Sequence, residues 1–292
     1  MSASSKFFPV AGVLSGALVW GLIWYPYREL QLAGVSGGVA TLLTYVVAML
    51  CGALWLPHVW RELRQVWQPV LWLVLTAGWA NFGYVLGMLD GDVMRVLLLF
   101  YLAPLWTILF SYWLLGERLN RYGYVVMALS LGGALVMLWQ PERGLPLPQS
   151  LSEWFGLSAG MSFALSNVIS RRAAQLSVET KAYSIWFGTA LLTAPLLWWQ
   201  GGLARQFAAI DGTNAVLLLL LGITLFATSF AVQYGVTHLP ANRAMLLFLF
   251  ELVAAAVASY VLAGEAMEWR DWLGALLIVS ASLWSGKLYQ SD

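Results

Sequence analysis

The sequence is poor in charge. Only 10% of its 292 residues are Asp, Glu, Lys or Arg, against about 25% in an ordinary soluble domain. At 61% hydrophobic residues, one water-soluble globule cannot hide the apolar surface of this chain. Composition therefore predicts an integral membrane protein. There is one cysteine, Cys51, which rules out an intrachain disulfide and reads as a small packing residue in an apolar run. The only two histidines, His58 and His238, fall in loops. The chain lacks H-E-x-x-H, G-x-S-x-G, a phosphate-binding loop and any cluster of metal ligands, so no cofactor and no metal are expected. Its net charge of +1 gives no field for nucleic acid. One clear acid lies deep in an apolar run, which argues against a two-carboxylate hydrolase.

What the chain has is apolar runs. A spanning helix needs roughly 20 mostly apolar residues. Ten segments qualify: 7–24, 37–56, 69–89, 93–115, 122–139, 153–171, 181–199, 214–235, 241–263 and 270–286. Breaks between them carry Pro57, Pro69, Asp90-Gly91-Asp92, Gly116, Gly201-Gly202, Asp211-Gly212 and Pro240. Trp and Tyr crowd the ends (Trp24, Tyr25, Trp55, Trp198, Trp199, Trp272) as an interfacial belt. The first run is followed by Trp24-Tyr25-Pro26 and further spans, not by a small-residue cleavage site, and reads as an uncleaved span. With the N-terminus inside, ten of the 15 Lys and Arg lie inside and five outside. That bias places both termini in the cytoplasm.

One stretch occurs twice. Arg95–Glu117 and Arg243–Glu265 match at a shift of 148 (243 minus 95): Arg95, Leu98, Leu99, Phe100, Ser111, Tyr112, Leu114, Gly116 and Glu117 face Arg243, Leu246, Leu247, Phe248, Ser259, Tyr260, Leu262, Gly264 and Glu265. Gly12, Gly16 and Arg28 likewise face Gly156, Gly160 and Arg172 at a shift of 144. The Pro-rich loop 141–152 then separates a five-helix repeat, 1–140, from a second, 153–292. Five is odd, so the second copy enters the membrane from the opposite side. The expected fold is an all-α integral membrane protein of ten transmembrane helices in two inverted five-helix repeats. Such a fold places a site near the midplane and provides two conformations of similar energy.

Several residues carry candidate roles. Glu251 lies about ten residues into the ninth span, where a carboxylate costs roughly 3 kcal/mol. It must face the interior, be protonated or have a partner. It is read either as a structural hydrogen-bond donor or as the group that pairs with a substrate ammonium or a coupled proton. Trp20, Asn81, Tyr84, Tyr101, Ser166, Asn167, Gln233 and Tyr234 are the polar and aromatic residues within the inner spans. Each reads as site lining or as helix–helix glue. Arg95 and Arg243 stand near the two mouths, as lipid anchors or as gate and steering residues, with Asp90 and Asp92 as possible partners of Arg95. Glu117 and Glu265 are expected to cap the helices that follow them. Pro104 should kink the fourth span, whereas the ninth has Leu252 there.

The motifs Tyr101-Leu102-Ala103-Pro104-Leu105-Trp106, Leu115-Gly116-Glu117-Arg118-Leu119 and Ala263-Gly264-Glu265-Ala266 resemble the drug/metabolite transporter superfamily, EamA branch, as does the whole ten-span layout. The resemblance implies an inner-membrane carrier that exports amino acids or related amphipathic metabolites by alternating access. Its partners would be a small-molecule substrate, the lipid bilayer and, if the carrier is coupled, protons, with a proton-coupled or uncoupled carrier of another small metabolite staying open; the chain would act as a monomer or homodimer. Leu252 departs from the family pattern, which has proline there. A membrane enzyme and a non-transporting scaffold stay open as other classes; the first would need clustered acids or histidines near one face, and the second would bind but exchange no solute.

Overall fold

The computed structural model describes residues 3–90, 93–140, 147–264 and 266–285. Their regular structure is helical throughout: α1 (Ala3–Leu32), α2 (Gly37–Cys51), α3 (Leu56–Gln65), α4 (Trp67–Asp90), α5 (Val93–Phe100), α6 (Ala103–Leu115), α7 (Arg121–Leu138), α8 (Leu151–Arg172), α9 (Val178–Gln200), α10 (Leu203–Ala208), α11 (Gly212–His238), α12 (Ala241–Phe248), α13 (Phe250–Ala258) and α14 (Trp269–Trp284). Local chemistry sets many of the boundaries. The side chains of Ser36, Asn120, Ser150, Ser177 and Asp211 accept a backbone N–H in the first turns of α2, α7, α8, α9 and α11. A capping box of Glu268 and Asp271 opens α14. Gly116 and Gly264, the repeated glycines, stop their helices at φ 69° and 68°, a left-handed conformation that costs glycine little.

Helices occupy all ten stretches expected to span. Seven of the resulting segments are long and apolar enough to cross a membrane: Phe7–Leu32, Gly37–Gln65, Trp67–Met88, Met94–Leu115, Arg121–Leu138, Gly212–His238 and Ala241–Leu262. The remaining three, α8, α9 and α14, fall outside that set; α8 carries Glu153, Arg171 and Arg172 at its ends, and α14 has 16 residues. Two short helices, α3 and α10, fill what the sequence reads as loops.

The centre is built from α1, α4, α5–α6, α8, α11 and α12–α13. Helix α4 lies on α8 and α9, while α11 lies on α1 and α2. The pairs α2·α9 and α7·α14 flank this centre. Val13, Ala164, Val168, Val236, Ala244 and Phe248 form the middle of its packed interior. The outer surface is apolar: Leu54, Trp198 and Trp199 are 87%, 80% and 85% exposed. Such a surface belongs in lipid rather than in water.

Small residues carry the closest helix contacts. A Cβ at Gly12 would stand 2.2 Å from the Ala231 carbonyl oxygen of α11. One at Gly160 would stand 2.3 Å from the Phe100 carbonyl oxygen, and one at Gly156 2.9 Å from that of Val96. The two glycine pairs matched in the sequence thus serve different neighbours, α11 for Gly12-Gly16 and α5 for Gly156-Gly160. Gly160→Ala is expected to cost about 1–3 kcal/mol by overpacking against backbone. Gly132→Ala, where the added carbon meets nothing within 4 Å, is expected to be neutral or stabilising. Thermal unfolding of the two variants in detergent checks the contrast.

Candidate functional site

Both copies of the repeated stretch are broken helices. Helix α5 ends at Phe100, a turn at Tyr101-Leu102 follows, and α6 begins at Ala103 with Pro104 in its first turn. The Leu102 N–H donates to the Leu99 carbonyl (3.3 Å) and the Leu105 N–H to that of Leu102 (2.9 Å). In the second copy α12 ends at Phe248 and α13 starts at Phe250, with the Leu252 N–H on the Leu249 carbonyl at 3.1 Å. Phe100 and Phe248 are related by the same shift of 148, so the breaks coincide in the repeat. This corrects the expectation that Pro104 makes only the first copy bend. A close-packed glycine on the crossing helix accompanies each break: Gly160 against the Phe100 carbonyl, and Gly21, whose Cβ would lie 2.8 Å from the Glu251 carbonyl oxygen.

The breaks bring Tyr101 and Glu251 together. The Tyr101 hydroxyl and the Glu251 carboxyl lie close enough to interact, and Tyr84 lies near enough to feel the Glu251 charge. Tyr101 is buried, whereas Tyr84 and Glu251 are partly accessible. A continuous run of rings adjoins them: Tyr84–Phe100 at 5.2 Å between centroids, Phe100–Tyr101 at 5.5 Å, Phe100–Phe163 at 5.6 Å, Phe163–Phe248 at 5.3 Å and Phe248–Trp20 at 5.6 Å. These rings come from α1, α4, α5, α8 and α12 and close on one another. Among the described residues Glu251 makes no ion pair. The larger surface hollow, about 410 Å³, lies elsewhere, along Leu102, Leu105, Trp106, Ile108 and Leu109 of α6. Its lining holds no titratable group.

Of the residues expected to line a site, Trp20, Tyr84, Tyr101 and Glu251 gather there. Ser166 and Asn167 stand just beyond Phe163 on α8, and both donate to the Phe163 carbonyl at 2.9 Å. Three others stand apart from the cluster. Asn81 accepts the Tyr45 hydroxyl (3.0 Å) and donates to the Ala77 carbonyl, tying α2 to α4. Gln233 accepts a hydrogen bond from Ser170 near the far end of α11. Tyr234 is exposed and packs its ring on His238 at 4.2 Å. A shift of one residue along a helix changes the face by about 100°, and polarity alone does not report the face.

The two ends of the broken helices are closed by polar ties. At one end Arg95 pairs with Glu153 through Nε (2.8 Å) and Nη2 (3.2 Å), and Nη2 also donates to the Leu147 carbonyl. Glu153 accepts the Gln149 N–H as well, and both charged groups are buried. Arg95 is therefore a locked ion pair between α5 and α8 rather than a lipid anchor; Asp92 lies outside the described residues. At the opposite end Glu117 accepts the Ala241 N–H at 2.9 Å and sits 3.6 Å from Arg171. Glu117 thus caps α12, not the next helix α7, which Asn120 caps; Glu265 lies outside the described residues. Asn242 donates to Ser111 (2.8 Å), Lys181 to Thr237 (2.8 Å), and Arg171 to the Thr237 carbonyl. Arg243, partly buried, donates to Ser285 at 3.4 Å.

Sequence reasoning missed Glu153, Lys181 and the rings of Phe100, Phe163 and Phe248. A signal existed for two of them, since Phe100 and Phe248 are matched positions of the repeat. Nothing in the spacing marks Glu153 as the partner of Arg95.

The family model of EamA-like transporters matches residues 8–139 and 150–286. The chain is 26% identical over 231 residues to an uncharacterized transporter of Archaeoglobus fulgidus, covering 78% of this chain and 80% of that one. It is 25% identical over 239 residues to an uncharacterized transporter of Pseudomonas aeruginosa, covering 78% and 76%. Protein RarD of Streptomyces exfoliatus is 27% identical over 210 residues, covering 69% and 63%. A solved crystal structure shares the fold at a TM-score of 0.76 and 20% identity, over 98% of each chain. With apolar helices of spanning length and a family match along nearly its whole length, the chain is a multi-pass membrane protein that belongs to the EamA-like transporter family.

Proposed function

We propose that this transporter is a secondary carrier that exports small amphipathic amine-bearing metabolites, amino acids with apolar or aromatic side chains and related drugs among them, by alternating access. It spans the bacterial inner membrane ten times, in two inverted halves (1–140 and 153–292) joined by 141–152, with both termini in the cytoplasm. One observation carries the reading: Glu251, a carboxyl without a cationic partner among the described residues, stands where two matched helix breaks meet a cluster of rings. Unwound backbone at such depth is tolerated where protein or a cavity surrounds it, and broken helices are how carriers build a midplane site.

The contact pattern supports the two-fold arrangement. Exchanging α1, α2, α4, α5–α6 and α7 for α8, α9, α11, α12–α13 and α14 turns α4·α8 into α11·α1, α4·α9 into α11·α2 and α6·α8 into α13·α1, and all six pairs are in contact. Ties between the halves close both ends: Arg95–Glu153 at one, Glu117–Ala241 and Ser111–Asn242 at the other. Opening to either side requires one set to part while the other holds. The rings must separate to admit a solute, and the solute then replaces ring–ring contacts with its own.

Glu251→Gln keeps the shape of the side chain and removes its charge. In proteoliposomes loaded with an unlabelled amino-acid mixture, counterflow of labelled phenylalanine or tryptophan, or its pH dependence, should fall at least roughly tenfold in this variant, with thermal unfolding close to the parent. Undiminished, pH-dependent counterflow would remove Glu251 from the mechanism. Topology has its own check. Alkaline phosphatase fused after residue 144 should be active and after Asp292 inactive; the reverse pattern would overturn the cytoplasmic placement of the termini, and equal activity at both points would overturn the five-span second half.

A further inference from the structure

Taking the carrier reading as given, we infer that among such amphipathic amines the site prefers a net monocation: an amine or quaternary ammonium with a flat apolar body and no free carboxylate. The inference rests on a count of charges at the ring cluster and on where the positive groups of the chain are spent.

The cluster contains one acid and no base. Glu251 faces the Tyr101 hydroxyl, and among the described residues it makes no ion pair. A carboxylate in such surroundings is stabilised by a proton or by a cation that arrives from outside. Four buried or half-buried bases are engaged toward the helix ends, Arg95 on Glu153, Arg171 on Glu117 and Thr237, Lys181 on Thr237 and Arg243 on Ser285, whereas Arg28 and Arg172 stand exposed near the ends of α1 and α8. A zwitterion that set its ammonium on Glu251 would need a partner for its own carboxylate within a few ångströms, and none of these bases supplies it.

Backbone N–H groups are the other possible partner, because both half-helices α6 and α13 begin at the cluster. Helix α6 has Pro104 in its first turn, which has no N–H, and the Leu105 N–H is bonded to the Leu102 carbonyl. Helix α13 has the Leu252 N–H bonded to Leu249, and its first turn contains Glu251 itself. That carboxyl already complements the positive end of the helix. A substrate carboxylate placed at either start would meet few donors and would approach Glu251 as a like charge.

The rings fit the opposite sign. Trp20, Phe163 and Phe248 present π-faces within one connected group, and such faces attract a cation that has left water. Tyr84 and Phe100, at 5.2 Å, continue the apolar wall beside the carboxyl. The arrangement therefore takes the ammonium at Glu251 and Tyr101, with the apolar body between the rings.

Matched compounds test this on the full-length protein in proteoliposomes: phenethylamine against phenylalanine, tryptamine against tryptophan, and phenylalanine amide, which keeps the α-amine while removing the negative charge. Binding by thermal shift and counterflow are both read. The amines and the amide should bind at least roughly tenfold tighter than the amino acids and exchange faster. That preference should disappear in Glu251→Gln and survive in Glu251→Asp. Phenylalanine exchanging as well as phenethylamine overturns the monocation assignment and leaves the carrier reading intact. Exchange of neither, by a protein that still unfolds cooperatively, overturns both.

Discussion

Two helices in lipid gain nothing from hiding apolar surface from each other, because the tails around them are equally apolar. Their contact depends on how near the backbones can come. Here that constraint is met by glycine, and the rest of the structure follows from it. Gly12 leaves room for the Ala231 carbonyl, Gly188 for that of Val74, and Gly160 for that of Phe100. The last of these also sits on the break in the fourth span. A helix that turns at Tyr101-Leu102 displaces its carbonyls sideways, and only a neighbour without a Cβ accepts them at this distance. Close packing and the interrupted helix are thus one feature, and the interruption in turn presents Tyr101 to Glu251.

The ends of the molecule obey a different rule. There the helices meet through charges and caps, which are directional and can be exchanged for water or lipid head groups when they part. Arg95 and Glu153 form a buried bidentate pair, the geometry in which a guanidinium and a carboxylate lose least on desolvation. Glu117 reaches from the end of α6 to the first turn of α12 in the other half, where it satisfies a backbone donor that no residue nearby in sequence addresses. Rigid backbone contacts within the helix pairs and polar contacts at the ends suit two packed units that tilt against each other.

Much of this was legible in the residues, for identifiable reasons. Apolar runs reveal spans because a bilayer has a fixed thickness, and the doubled Arg…Gly-Glu pattern reveals the repeat because charged and glycine positions rarely coincide by chance. The left-handed stops at Gly116 and Gly264 follow from the residue type alone. What stayed hidden depended on facing. Asn81, Gln233 and Tyr234 have the polarity of site residues, yet a helix turned by one residue sends each of them to a neighbour or to the outer surface. The helix break at Leu249 was hidden because no proline marks it. The glycine that accompanies it, Gly21, lies on another helix, and no reading along one chain segment contains that pairing.

The centre of the repeat is where symmetry is given up. At the shift of 148, Ala103-Pro104 faces Glu251-Leu252, so the first copy stops its hydrogen bonding with a proline and the second carries the charge. A strictly symmetric pair would place two carboxyls at the junction of the breaks, and like charges so close cannot both ionise in a medium of low dielectric. One carboxyl avoids that conflict and sets a sign for the site. The proline opposite it removes a backbone donor that would otherwise favour an anion. Both parts of the asymmetry therefore act in the same direction, toward surroundings that carry one acid and few free donors, which is the character the proposed cation-binding carrier needs.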